Sequence, residues 1–196
     1  MDPIIESLQP PVLLVAMPQV RDPFFFRSVV LLLEQTANGS FGVIVNRPTE
    51  LTVASLLFDL EIEWKGSAAM KAFFGGPVQS NVGSSLFAGL GQDIDELDDR
   101  IVAIAPGLRL SQDVRVLKDL AVDPPAGFRF ILGCAGWESG QLEQELGRND
   151  WLLVPFEASL LFEQAPQEMW AAALRSIGVR PESLSSSNVP ESGEAN

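Results

Sequence analysis

The sequence predicts an α+β fold, a mixed α/β arrangement in a single domain. Three observations predict it. Short β-rich apolar runs recur along the chain, and two of them are joined by the hairpin signal Asn38-Gly39. Segments with helical spacing and capping residues lie among and after those runs. No internal repeat or mid-chain linker divides the 196 residues, a length that supports one good-sized core. Residues 1–11 read as an N-terminal leader, 12–184 as the domain, and 185–196 (SSSNVPESGEAN) as a polar tail of disordered composition.

The leader places Ile4, Ile5 and Leu8 on one amphipathic turn before Pro10-Pro11 stops it. Val12 to Ala16 reads as a first strand. Asp22-Pro23 has the pattern of a cap and first helical position, with Phe24 to Phe26 riding on a brief turn. Three adjacent aromatics cannot all face water at low cost. Ser28 to Glu34 and Phe41 to Asn46 pair as an antiparallel hairpin, and the unbroken Leu31-Leu32-Leu33 predicts a strand covered on both faces. Asn46-Arg47-Pro48 ends it, since the residue before proline is pushed out of helical space.

Thr52 is the predicted cap of a helix over Val53 to Leu60. Ala72-Phe73-Phe74 runs into a glycine break at Gly75-Gly76-Pro77-Val78, and Ser84 to Ala88 is a short strand. Gln92 to Arg100 is an acidic loop, Ile101 to Ile104 a strand, and Ser111 the predicted cap of a helix to about Leu120. Strand Leu152 to Val154 meets Pro155. Helical patterns follow at Glu157 to Phe162 and from Gln167 to Ile177, where Gly178 stops the last.

The organising stretch is Phe130 to Trp151. Phe130-Ile131-Leu132 is strand-like, Gly133-Cys134-Ala135-Gly136 reads as a tight turn, and Leu142 and Leu146 fall four apart on a helix face. Gly133 and Gly136, lacking Cβ, tolerate positive φ or a close backbone. Such a strand-to-helix corner would aim helix N–H groups at whatever sits above the strand end.

Composition narrows function. A net charge of −13 and a pI near 4.3, with no basic cluster, argue against direct nucleic-acid binding and against anionic membrane surfaces. One cysteine rules out an intramolecular disulfide, and the acidic residues Asp2 and Glu6 are unlike a signal peptide. A cytoplasmic setting is the expectation. Histidine is absent, which removes Ser-His-Asp and Cys-His catalysis and the commonest neutral metal ligand. No phosphate-loop, dinucleotide or calcium-loop pattern fits, so neither a cofactor nor a metal is expected.

Cys134 at the corner could be a nucleophile activated by the helix dipole or a small buried residue. Glu138, Gln141 and Glu145 could share a helix edge with Trp137 and Trp151 beside them, as an acid-base face or as a solvated one. Arg21, Asp22, Arg27 and Arg47 lie near strand ends, where they could orient an anionic ligand or pair internally.

Taken together, MPQVRDPFFFRSVVLLLE (17–34), GSFGVIVNRP (39–48), GGPV (75–78), AGWESGQLEQEL (135–146), Asn149-Asp150-Trp151 and the pattern through Trp170, Ala173, Leu174 and Gly178 resemble the AlgH/YqgE family, from Val12 to Leu184. The resemblance implies a curved, partly barrel-like mixed sheet flanked by helices. It implies no reaction; the family's name reflects a suggested regulatory link to alginate production, with transcriptional regulation as its loosest label. Two positions depart from the family. Its members usually carry a histidine after GGPV where this chain has Leu86-Phe87-Ala88, and commonly a tyrosine where it has Cys134.

The leading expectation is a non-catalytic binding or regulatory module with a protein or small-molecule partner. Its recognition surface is drawn from Asp22, Arg27, Asn46, Arg47, Gly75, Gly76, Pro77, Gly136, Trp137, Gln141 and Glu145. The alternatives are a small hydrolase or transferase using Glu138, Glu145 and Cys134, or a transcriptional regulator acting through a protein partner.

Overall fold

The computed structural model describes residues 9–89 and 99–185. Ten strands form one curled sheet, eight of them in the order β10-β1-β2-β3-β9-β6-β8-β7, with β4 and β5 off that path. The strands are β1 (Val12–Ala16), β2 (Val29–Thr36), β3 (Gly39–Ile44), β4 (Pro48–Thr52), β5 (Lys71–Phe74), β6 (Val78–Ala88), β7 (Val102–Ala105), β8 (Leu108–Ser111), β9 (Phe128–Glu138) and β10 (Trp151–Pro155). The described helices are α1 (Val53–Phe58), α2 (Val114–Val122), α3 (Gln141–Gly147), α4 (Ala158–Phe162), α5 (Pro166–Ser176) and α6 (Pro181–Ser185). β4 pairs with β5, which runs parallel to β9; every other pairing is antiparallel. This is the mixed α+β architecture that the sequence predicted, with the curved, partly barrel-like sheet that the family resemblance implied. No described helix is long and apolar enough to cross a membrane.

The hairpin forms as read, with Thr36 opposite Gly39. β1 and the first half of β2 are buried on both faces, because alternate residues feed two different cores. Leu13, Val15, Val29 and Leu31 join Val43, Leu161, Trp170 and Leu174 on one side. Val12, Leu14, Val30 and Leu32 join Trp137, Leu142 and Trp151 on the other. A third cluster packs α1 and α2 on Phe87, Phe128 and Phe130.

Several boundaries differ from the sequence reading. β4 extends the chain beyond Pro48 where an ending was expected, and proline at its first position loses no ladder bond there. β6 begins at Val78 rather than Ser84, and β8 was not foreseen. Ser111 ends β8, opposite Ser85, so the cap of α2 is Asp113, whose Oδ1 accepts the Arg115 N–H at 2.7 Å. The Arg115 side chain and backbone N–H beside Asp113 lower its carboxyl pKa to about 2. Thr52 caps α1 as expected, with Oγ1 accepting from Ser55 N at 3.1 Å. Ser185 belongs to α6 rather than to a tail, and residues 186–196, residues 1–8 of the leader and most of the acidic 92–100 loop lie outside the described residues.

The largest correction concerns the organising stretch. β9 does not stop at Gly133 but runs eleven residues, and Gly133-Cys134-Ala135-Gly136 lies inside it. Gly133, at φ +75°, buckles the strand instead of turning it. Before the buckle β9 pairs with β5 and β6; after it, with β3 and, at Cys134 opposite Val78, again with β6. The corner into α3 lies further on, at Ser139-Gly140.

Candidate functional site

Asp22 starts the segment that shapes the surface. Its Oδ1 accepts the Phe24 N–H at 2.8 Å, and its carbonyl accepts from Phe25 and Phe26. The turn therefore forms as predicted. It buries Phe25 against Trp151, ring centroids 5.8 Å apart, and leaves Phe24 46% and Phe26 43% exposed. Asp22 forms no ion pair with Arg21, Arg27 or Arg47 among the described residues, so the internal-bridge alternative is not what holds this loop.

Arg27 closes the turn with φ +52°, a conformation L side chains adopt sparingly. Buried Asn46 holds it there: its Nδ2 donates to the Arg27 carbonyl at 3.0 Å and its Oδ1 accepts the Val29 N–H at 2.8 Å. The Arg27 guanidinium consequently lies over two rings, 5.1 Å from the Trp170 centroid and 5.4 Å from Phe26. Trp170 is itself anchored, its indole N–H donating to the Ala16 carbonyl at 2.7 Å. No carboxylate or carbonyl among the described residues accepts from the Arg27 side chain.

Arg27 forms one wall of a cleft of about 600 Å³. Arg47, donating to the Phe26 carbonyl, and Asn46 line it from the end of the hairpin. The opposite wall is α5, through Gln167, Ala171 and Arg175, and α6 contributes Glu182, whose carboxylate stands 3.7 Å from Arg175. Arg175 and α6 escaped the sequence reading. The signal was present, since Gln167, Ala171 and Arg175 recur every four residues and so share one helical face.

Asp22, Gly136, Trp137, Gln141 and Glu145 line a different hollow, of about 430 Å³, across the 17–28 loop from the cleft. Here Glu145 is a tie. Its Oε2 accepts the indole N–H groups of Trp137 at 2.9 Å and Trp151 at 2.8 Å, and its Oε1 accepts from Gln141 at 2.9 Å. Gln141 also accepts the Glu138 N–H at 3.0 Å, which closes the corner into α3. Glu145→Ala is expected to lose about 2 kcal/mol in urea denaturation, because two largely buried indole donors lose their acceptor. Glu145→Gln keeps an acceptor oxygen and should lose about half as much. An unchanged midpoint in the alanine variant would show that the tie carries no stability.

The remaining candidates fall outside both hollows. Gly75 and Gly76 are buried against the backbone of β9, and Pro77 is exposed at the start of β6. The glycine breaks thus do meet, but as a close crossing of backbones with no room for a ligand. Cys134 lies mid-strand, away from any helix N-terminus; its thiol donates to the Val78 carbonyl at 3.6 Å, and burial raises its pKa. That disfavours the thiolate which nucleophilic attack needs. Glu138 points to solvent at the strand end.

Comparison with known proteins adds a lineage to this geometry. A family model described as AlgH-like matches residues 13–182. A UPF0301 protein of Dechloromonas aromatica is 40% identical over 169 residues, 85% of this chain and 88% of that one. A UPF0301 protein of Xylella fastidiosa is 39% identical over 170 residues, with the same shares covered. Among solved structures, the solution structure of the AlgH protein from Pseudomonas aeruginosa superposes with a TM-score of 0.70 at 32% identity, covering 94% of both chains. A Corynebacterium diphtheriae crystal structure, with a TM-score of 0.71 at 23% identity over 93% of this chain and 95% of that one, shares the fold.

Proposed function

The chain belongs to the AlgH-like family, and from that premise we propose that it is a non-catalytic, cytoplasmic binding module that takes a compact anionic ligand in the cleft of Arg27, Arg47 and Arg175. One observation carries the reading. The Arg27 backbone is held by Asn46 and its guanidinium lies on the rings of Trp170 and Phe26, yet it meets no acceptor among the described residues. A donor held in place at the expense of a rare backbone conformation is preorganised for an acceptor from outside. The charges around it support the same reading, since three guanidiniums line this cleft in a chain of net charge −13.

The chemistry elsewhere favours binding over catalysis. Glu145 has both oxygens engaged, Cys134 is buried with its pKa raised, and Glu138 stands in open solvent. None of the three has the pairing of nucleophile and base that covalent catalysis requires. The lone cysteine suits the proposed reducing, cytoplasmic setting. Regulation would then come from what the liganded surface presents, and the exposed Phe24 and Phe26 beside the cleft suit a protein partner.

The test is a thermal-shift series of small anions against wild type, Arg27→Gln and Arg175→Gln. Wild type should rise in melting temperature with ligand concentration, and both variants should respond at least about tenfold more weakly. A panel of phosphates, sulfate and carboxylates that leaves the wild-type transition unmoved at millimolar concentration would remove the proposal.

A further inference from the structure

Resting on the anion-binding reading above, we infer that the ligand of this cleft is a phosphate monoester, a compact dianion attached to an uncharged organic body. The charge count selects the dianion. Among the described residues, Arg27, Arg47 and Arg175 face the cleft and Glu182 is its one carboxylate, so three positive groups against one negative leave two positive charges to match. A phosphate monoester carries a charge of about −1.5 to −2 at pH 7, whereas a carboxylate carries one. Its three terminal oxygens can also accept from separate guanidinium forks, which a carboxylate's two oxygens cannot do for three arginines.

The walls select the rest of the molecule. Pro48, Pro166, Ala171 and Pro181 supply apolar surface, and about 600 Å³ exceeds what a bare phosphate fills. One face of each aromatic ring is already taken, because the Arg27 guanidinium lies on Trp170 and Phe26. The body is therefore held chiefly by the sides of proline rings. A polyphosphate chain or nucleic acid is the poorer fit: the part of such a ligand lying more than a Debye length, about 8–10 Å, from these arginines is screened from them and runs along the surface of a chain with net charge −13.

Glu182 gives the cleft an internal competitor. Its carboxylate stands 3.7 Å from Arg175, with side chains 74% and 60% exposed respectively, a loose surface pair that a stronger anion can displace. Because Glu182 sits on α6, ligand entry and the position of that short helix compete for the same guanidinium.

The experiment is isothermal titration of the full chain with phenyl phosphate and with benzoate, which share a ring and differ in the charge of the head. At pH 7.5 phenyl phosphate should bind at least about tenfold tighter than benzoate. At pH 5.5, below the second phosphate pKa of about 6, that advantage should shrink several-fold, while benzoate, whose pKa is well below this range, holds its affinity. E182Q should bind phenyl phosphate several-fold tighter than wild type, and R27Q at least tenfold weaker with the melting temperature of the free protein lowered by no more than a few degrees. Equal affinity for the two probes would overturn the monoester inference while leaving the anion site standing; binding of neither would overturn both. An unchanged affinity in E182Q would overturn the charge count from which the dianion was chosen.

Discussion

Gly76→Ala is expected to destabilise the protein by more than about 4 kcal/mol, a large share of the roughly 5–15 kcal/mol that holds a typical domain folded. A methyl group built on Gly76 would lie 2.2 Å from the Cys134 carbonyl oxygen, 2.3 Å from its carbonyl carbon and 2.6 Å from the Ala135 nitrogen. All three are backbone atoms of β9 inside a ladder, so none can move without breaking sheet hydrogen bonds. The φ of +144° adds strain for any L side chain. The neighbouring residues are equally confined: Gly75 donates to Leu132 O at 2.7 Å and accepts from Ile44 N at 2.8 Å, which bolts the β5 end between β3 and β9. Gly147→Ala serves as the control, because a Cβ there meets nothing within 4 Å and the site is helical. It should be neutral or slightly stabilising. A urea midpoint for Gly76→Ala matching that of the control would disprove the backbone crossing.

Arg129→Ala should cost about 3 kcal/mol. Arg129 is only 6% exposed, and its guanidinium donates to the Val45 carbonyl at the end of β3 and the Leu161 carbonyl in α4 while lying 4.5 Å above the Phe73 ring. It forms no ion pair among the described residues. Burial lowers its pKa to about 10, so it remains a cation at neutral pH and its desolvation is a standing cost. Truncation relieves that cost but leaves two buried carbonyls without donors, at about 1–3 kcal/mol each, together with a cavity over Phe73. The unsatisfied carbonyls and the cavity outweigh the relief. Arg129→Lys offers a single head that cannot span both carbonyls and should recover roughly half of the loss. Equal midpoints for wild type and the alanine variant in denaturant would show that the desolvation term dominates instead.

Sequence reading succeeded where information is local. Asn38-Gly39 announced the hairpin, Thr52 its helix, Asp22-Pro23 its turn, and the apolar run of β2 its double-sided burial. It failed at the glycines of β9, because a residue that tolerates positive φ can turn a strand or merely buckle it, and both leave the same letters. The outcome was settled by β3, β5 and β6, which hold partners on either side of Gly133 and keep the strand extended. The candidate site was half legible. Arg27, Asn46 and Arg47 stood on the same candidate surface as Asp22, Gly136, Trp137, Gln141 and Glu145, which the fold carries to the other side of the 17–28 loop.

By itself, the sequence determined the fold class, the family, most element identities and the acidic charge that sets which partners are tolerable. Periodicity and capping act over a few residues, and such forces are written directly in neighbouring letters. Only the tertiary structure decided that Arg175 of α5 and Glu182 of α6 face Arg27 and Arg47, that Glu145 is spent holding two tryptophans, and that Gly75 and Gly76 are a crossing rather than a site. Those outcomes depend on which distant surfaces bury each other, and that choice is made by the packing of the whole sheet against its helices.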